Sequence, residues 1–389
     1  MNRANSNTEH SFPAVPRTLD LADLLMKKSH FLFGPRQTGK TFLIRQTLKK
    51  VKVYDLLDTT VFLALSQAPA RLCQELTSED QTVVIDEIQR LPILLNEVHR
   101  LIEERGIRFL LTGSSARKLR RGGVNLLGGR ARTRHLHPLT SHELGERFSL
   151  AHAIERGLLP SIYFSDDFRS DLEAYAGSYL QQEIVAEAAT RNIPAFSRFL
   201  KVASLCNGTI VNFTKVANDA QVPRTTVYEY FEILKDTLIL HEIPAWRKSK
   251  KRKPLASSKY YFFDTGIVGI LQGRLFRIGT PEFGQAFETY VAHELLSYSD
   301  YVSGEPLTYW RSTSGFEVDF IIGNHTSVEV KGKENVAPQD LKSLNALTEE
   351  RKLKRYICVS LEPRPRKSGE VTLLPFSEFL SRLWSGEYT

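Results

Sequence analysis

Gly34-Pro35-Arg36-Gln37-Thr38-Gly39-Lys40-Thr41 follows G-x-x-x-x-G-K-[ST], the pattern of a phosphate-binding loop. Phe31, Leu32 and Phe33 before it read as a buried strand, and Phe42, Leu43 and Ile44 after it open a helix. Strand, glycine loop, helix is the context that this chemistry needs. Gly34 and Gly39 let the backbone curl from Pro35 through Thr38, so that the N–H groups of Arg36, Gln37 and Thr38 turn inward around phosphate. The helix N-terminus adds partial positive charge. Lys40 is expected to reach the β- and γ-phosphates, and the Thr41 hydroxyl to hold Mg²⁺. A Gly-rich turn with no nucleotide is the plain alternative, and the agreement of every motif position with both flanks weighs against it.

The size of the chain, 389 residues, predicts two or three domains, each able to bury its own core. A net charge of +8 and a pI near 9.2 permit an acidic partner such as nucleic acid without demanding one. Cys73, Cys206 and Cys358 are odd in number and far apart, which suits reduced thiols better than a disulfide framework or a zinc site. No apolar run is long enough to span a bilayer, and Met1 to Thr8 have no signal-peptide core. No membrane partner is expected, and a cytoplasmic location is.

The second strong signal is Val83-Val84-Ile85-Asp86-Glu87, an apolar strand that ends in two acids. Parallel sheets place ligands at the C-terminal ends of their strands. Asp86 would bind Mg²⁺ there, and Glu87 would polarise the attacking water. Ile88 to Glu104 reads as one helix, with Pro92 in its first turns. Arg108 to Ser115 reads as a further strand ending in small polar residues. From Ala116 to Arg134, basic residues alternate with glycines. One of these arginines could act on the γ-phosphate in its own subunit or a neighbour's, Arg130 first and Arg117 second. Contact with DNA phosphate and a solvated basic loop are the competing readings.

Together GPRQTGKT, VVIDEIQRLP and LTGSSARKLRRGGVNLLGGR resemble the prokaryotic AAA-domain ATPases that carry a C-terminal domain of unknown function. The resemblance covers most of the chain. It implies ATP as the nucleotide and Asp86 and Glu87 in the roles above; AAA-type ATPases place a polar γ-phosphate sensor after the strand read from Arg108, for which Ser114 is the candidate, with a plain strand-to-loop turn as the alternative. Such relatives often form rings, so a homo-oligomer is one expectation.

His137-Pro138-Leu139-Thr140 closes the nucleotide unit, and helix-rich sequence follows, with helices read over 174–188 and 196–206. Phe213 to Ala220, a turn at Gln221 to Arg224, and Thr225 to Leu234 read as a helix-turn-helix. Arg224, Thr225, Thr226 and Tyr228 would then face DNA. An ordinary helical hairpin with an aromatic core stripe is an equal alternative. Beyond it, Arg247, Lys248, Lys250, Lys251, Arg252 and Lys253 make a dense basic run before the strand Tyr260 to Phe263. This resembles the wing of a winged helix, which lies on phosphate, and a solvated basic loop is the alternative.

In the last third, Phe283 to Leu296 reads as a helix carrying Glu288. Leu307 to Arg311, Phe316 to Ile322 and Ser327 to Lys331 read as three strands. Strand alternation puts Glu317 and Asp319 on one face, and Glu329 and Lys331 on one face. A hairpin at Gly323-Asn324-His325 would bring Asp319 beside Glu329. An aspartate followed by Glu-x-Lys resembles the core of PD-(D/E)xK nucleases, although the proline before the aspartate is missing. The resemblance implies Mg²⁺ on Asp319 and Glu329, Glu288 completing the site, and Lys331 orienting the nucleophile. Charged residues on an open hairpin face would spell the same letters.

The expected architecture is α/β. It comprises a lead over 1–15, an AAA-type parallel-sheet domain over 16–140, a helical, winged-helix-like module over 141–275, and a nuclease-like α/β domain over 276–389. The expected function is ATP hydrolysis coupled to nucleic acid, DNA favoured, with metal-dependent cleavage in question. The alternative is a nucleotide-gated switch that binds DNA or a protein partner through an inactive nuclease-like domain.

Overall fold

The computed structural model describes residues 13–117, 119, 127–179 and 192–388. Most of the N-terminal lead lies outside them, as do Lys118, Arg120 and Arg121 and most of the helix read over 174–188.

Five parallel strands form the first sheet: β1 (Ser29–Phe33), β2 (Lys52–Asp55), β3 (Thr82–Asp86), β4 (Arg108–Gly113) and β5 (Ala131–His135), in the order β2-β3-β4-β1-β5. All five residues of β1 are buried, as expected of a central parallel strand covered on both faces. β4 lies between β1 and β3, so its C-terminal end falls between the phosphate loop and Asp86. Two local readings are corrected. Pro92 divides the segment read as one helix into a short turn, Ile88–Arg90, and a helix, Leu94–Arg105. The C-terminal part of the basic segment is the edge strand β5, a role hidden by its alternating arginines.

The middle of the chain holds the helix Ile193–Leu205, β6 (Thr209–Ile210), the helices Phe213–Ala220 and Arg224–Asp236, β7 (Leu240–Ile243) and β8 (Lys259–Phe262). The three strands form one antiparallel sheet, ordered β6-β8-β7. Helix, strand, helix pair, then a two-stranded hairpin is winged-helix topology. Its turn rests on Gln221 at φ 55, and Asn212 caps the first helix of the pair by accepting the Lys215 N–H. Val227, Tyr230, Phe231 and Leu234 bury the inner face of the second helix, while Arg224, Thr225 and Tyr228 stay exposed.

The C-terminal sheet is mixed. β9 (Leu307–Arg311), β10 (Glu317–Ile322) and β11 (Thr326–Lys331) run antiparallel to one another. β12 (Arg355–Ser360) and β14 (Val371–Pro375) continue in parallel, and β13 (Arg366–Ser368) closes the edge. The segment between β7 and β8 lines the free edge of β9. Trp246 N–H donates to the Tyr309 carbonyl at 2.7 Å and Leu255 N–H to the Arg311 carbonyl at 2.8 Å. An exposed edge is thereby paired. The helix Phe283–Tyr298 is buried along most of its length in a core shared by the middle and C-terminal parts. Among the described residues no helix is long and apolar enough to cross a membrane.

The three parts meet at a histidine cluster. His137, just past β5, packs its ring against His241, His293 and Tyr301, and its Nε2 lies 2.6 Å from an Asp300 carboxylate oxygen. His293 Nε2 lies 3.0 Å from the Leu139 carbonyl, which suits a neutral ring donating its N–H. Burial, aided by His137, lowers its pKa to about 3. A histidine near 6.5 in the unfolded chain then takes up its proton there first, so folding stability falls as pH drops from 6.5 towards 3. At pH 5 the loss at this one site is about 2 kcal/mol. Glu294, raised to about 7 by burial, works the other way between 4.5 and 7. Comparison with His293→Gln isolates the histidine, because the other groups are common to both proteins. Denaturant melts at pH 7.5 and pH 5 should show the variant losing less stability on acidification; equal losses refute the assignment.

Candidate functional site

The phosphate loop joins β1 to the helix Lys40–Thr47. Gly39 takes φ 94, and a side chain at Gly34 would meet the Leu136 carbonyl oxygen at 2.4 Å, so both positions call for glycine. Lys40 is buried and folds back on its own loop, donating to the carbonyls of Gly34 at 2.7 Å and Pro35 at 3.1 Å. Thr38 Oγ1 donates to the Pro35 carbonyl at 2.8 Å. A cleft of about 320 Å³ is lined by Arg36, Gln37, Gly39, Lys40, Thr41, Phe42, Leu57 and Glu87.

Asp86 ends β3 and Glu87 follows it, at the edge of this cleft. Thr41 Oγ1 donates to Asp86 Oδ2 at 3.0 Å, so the two oxygens expected to hold Mg²⁺ already adjoin. A hydroxyl and a carboxylate are donors that suit this ion, so the residues fit it. The Thr112 hydroxyl donates to the other Asp86 oxygen. Glu87 sits at φ 62, an uncommon left-handed conformation for a residue with a side chain.

Ser114, just past β4, is buried. Between it and Glu87 lies Gln89, which the sequence reading did not single out. Its amide donates to the Glu87 carboxylate and lies 3.4 Å from Ser114 Oγ. Its carbonyl is packed against Gly113, where an added Cβ would meet it at 2.2 Å. Arg17 was also missed. Its buried guanidinium donates to the Thr38 and His137 carbonyls, each at 2.6 Å, and pairs with Glu143 at 3.0 Å. Only the position of Gln89 two residues beyond Glu87 hinted at it, and nothing local marked Arg17.

The two arginine candidates sit elsewhere. Arg130 stands at the start of β5, beside Ser29 and Arg108 and paired with Glu103. β1 runs from Ser29 towards the phosphate loop, so about 16 Å of strand separates that end from the nucleotide cleft. The expected action of Arg130 on the γ-phosphate of its own subunit is therefore corrected. Arg117 pairs instead with Asp236, at the end of the second helix of the winged-helix pair, at 2.9 Å.

Of the residues expected at DNA, Arg224 lies over the Tyr228 ring and reaches its hydroxyl at 3.0 Å. In the basic run, Arg247, Lys248, Lys250, Lys251 and Lys253 are exposed. Arg252 differs: it pairs with Glu349 at 2.7 Å, donates to the Ala346 carbonyl at 2.8 Å and lies over Phe316. Its expected DNA contact is corrected to a fastening of the wing. The Glu350 carboxylate adds to this by accepting the N–H groups of Lys250, Lys251 and Arg252.

In the C-terminal sheet, Phe320 pairs with Val328, and the next step along the hairpin sets Asp319 beside Glu329. Asp319 Oδ2 accepts the Val330 N–H at 2.9 Å. Lys331 Nζ lies 2.6 Å from Glu329 Oε1. Glu288, on the central helix, accepts from the Tyr261 hydroxyl at 2.5 Å, and burial, with Asp319 nearby, pushes its pKa up to about 7. The sequence did not foretell Lys259, whose ammonium joins Glu288, Glu317 and Asp319. Among the described residues no group of three His, Cys, Asp or Glu is set to hold a metal ion. The expected site of Glu288, Asp319 and Glu329 therefore does not fit Mg²⁺ as it stands, because lysines neutralise its carboxylates.

Residues 26–145 match the AAA domain family. Residues 147–276 and 283–379 match two domains of unknown function, DUF8612 and DUF4143. No curated protein matches the chain. Among solved structures, the chain is similar to a replication initiator DnaA bound to AMPPCP and single-stranded DNA. The identity there is 12%, with 54% of this chain and 82% of that one covered, at a TM-score of 0.28. It is also similar to a signal transduction ATPase with numerous domains, carrying a tetratricopeptide repeat sensor, from Pyrococcus horikoshii. There the identity is 13%, with 72% of this chain and 46% of that one covered, at a TM-score of 0.22. The N-terminal unit is an AAA-type P-loop fold, and the family match supports ATP binding and hydrolysis.

Proposed function

We propose that this chain hydrolyses ATP and uses the cycle to control a winged-helix grip on DNA. The observation that carries the coupling is a path between the two sites. Ser114 borders the Gln89–Glu87 pair, and three residues on, Arg117 holds Asp236 of the helix pair that would lie on DNA. In the nucleotide cleft, Lys40 turns from its own loop carbonyls to the β- and γ-phosphates. Thr41 and Asp86 hold Mg²⁺, which supplies charge neutralisation at the phosphates. Glu87 takes the proton of the attacking water, and Ser114 reads the γ-phosphate. An apolar cavity of about 350 Å³ adjoins the loop and is lined by Pro13, Val15, Phe42, Leu139 and Pro160 among others. It is of a size to take the nucleobase.

Gln89 positions Glu87. Gln89→Ala is expected to lower turnover by up to about 10²-fold at little changed KM, as a misaligned base does. Single-turnover hydrolysis measures this, and an unaltered rate rejects the role. The division into units at 16–140, 141–275 and 276–389 is supported by the three family matches.

A second reading, a nucleotide-gated switch with an inactive nuclease-like domain, is favoured by the two lysines among the C-terminal carboxylates. ATP turnover by the purified chain, alone and with duplex DNA, single-stranded DNA or RNA, tests both readings while a gel follows the nucleic acid. Stimulation by duplex without cleavage is expected. Turnover indifferent to all three removes the coupling to nucleic acid and leaves a protein partner.

A further inference from the structure

β8 has two faces. Tyr260 packs towards the helix pair, against Phe231 at 5.2 Å between ring centroids. Lys259 and Tyr261 point the other way, into the carboxylates of the C-terminal sheet. Lys259 Nζ lies 2.5 Å from Glu317 Oε1, 3.4 Å from Glu288 Oε1 and 3.6 Å from Asp319 Oδ1, and its side chain is only 3% exposed. Arg311 reaches the other oxygen of Glu317 at 3.1 Å. Among the described residues Glu329 Oε2 is buried with no hydrogen-bond partner, while Lys331 holds Oε1.

Four carboxylates gathered out of water repel one another unless cations lie among them. A divalent ion bound to Asp319 together with Glu288 or Glu329 would sit at about 2.0–2.6 Å from its oxygens, in the space next to the ammonium. Charge repulsion and volume both forbid the two together. We propose that Glu288, Asp319 and Glu329 form a latent divalent-cation site, which Lys259 closes by standing in as its built-in cation. The unpaired Glu329 oxygen is the ligand atom left waiting. Lys259 is the first residue of β8 and is paired on both sides, with Ile210 and Ile243.

The test is Mn²⁺ binding to the full chain without nucleotide, followed by electron paramagnetic resonance. The wild type should show no binding that depends on Asp319, so Asp319→Asn should leave its titration unchanged. Lys259→Met should bind one further Mn²⁺ at least about 10²-fold more tightly than the wild type, since a like charge near 4 Å is gone. Adding Asp319→Asn should abolish that gain. Lys259→Met/Glu317→Gln removes one charge of each sign and covers the case where the single variant misfolds; circular dichroism and basal ATP turnover report folding. A folded variant that gains no Mn²⁺ overturns the latent site. Wild-type Mn²⁺ binding or Mg²⁺-dependent DNA cleavage that disappears in Asp319→Asn overturns the closure.

Discussion

Exchanging Glu87 for glutamine is expected to leave ATP binding in place and to slow hydrolysis by about 10²–10⁴-fold, the share of a positioned general base. The substitution keeps shape and hydrogen bonding but removes the basic oxygen. Binding should persist because, in the proposed reading, Lys40, Thr41 and the loop N–H groups take the phosphates, while Glu87 only lines the same cleft. The neighbouring Gln89 amide can still donate to the new side-chain carbonyl, so the left-handed turn at position 87 is retained. Fluorescent ATP binding and phosphate release, measured on one preparation, separate the two effects. Lost binding at normal folding would move Glu87 from base to ligand. Full turnover would dismiss it from the chemistry.

Neutralising Arg247, Lys248, Lys250, Lys251 and Lys253 together should weaken DNA binding steeply and reduce its salt dependence by a slope of about five. The reason is counterion release: each lysine or arginine on a phosphate frees condensed cations, and log K falls with log salt in proportion to their number. These five side chains are exposed, while the loop beneath them is fixed to Glu350 and to the edge of β9. A fixed charged loop loses little freedom on binding, so more of the electrostatic gain is kept. Arg252 is left out because Glu349 and the Ala346 carbonyl already hold it. Fluorescence anisotropy over a series of salt concentrations gives both quantities. An unaltered slope would clear the wing of phosphate contact and leave Arg224, Thr225 and Tyr228 to explain any binding.

Much of this was legible in the residues because it is local. The phosphate loop could be read from eight consecutive letters, since a tight turn at a helix N-terminus needs glycine at set places. The strand before Asp86, the helix pair from Phe213 to Asp236 and the hairpin from Glu317 to Lys331 could be read from periodicity alone. β5 could not, because an edge strand half exposed to water needs no apolar run, and its arginines resembled a loop.

By itself the sequence determined which groups can do chemistry and how neighbours along one element face each other. Lys40 beside Thr41, and Glu329 two residues before Lys331, are such cases. Only the tertiary structure decided which charges meet across elements. It set Lys259 among Glu288, Glu317 and Asp319, Arg117 on Asp236, Arg252 on Glu349, and Arg130 at the end of the sheet away from the nucleotide cleft. The physical reason is that a buried charge must find its partner wherever packing brings one within reach, and that distance is set by the fold and not by separation along the chain.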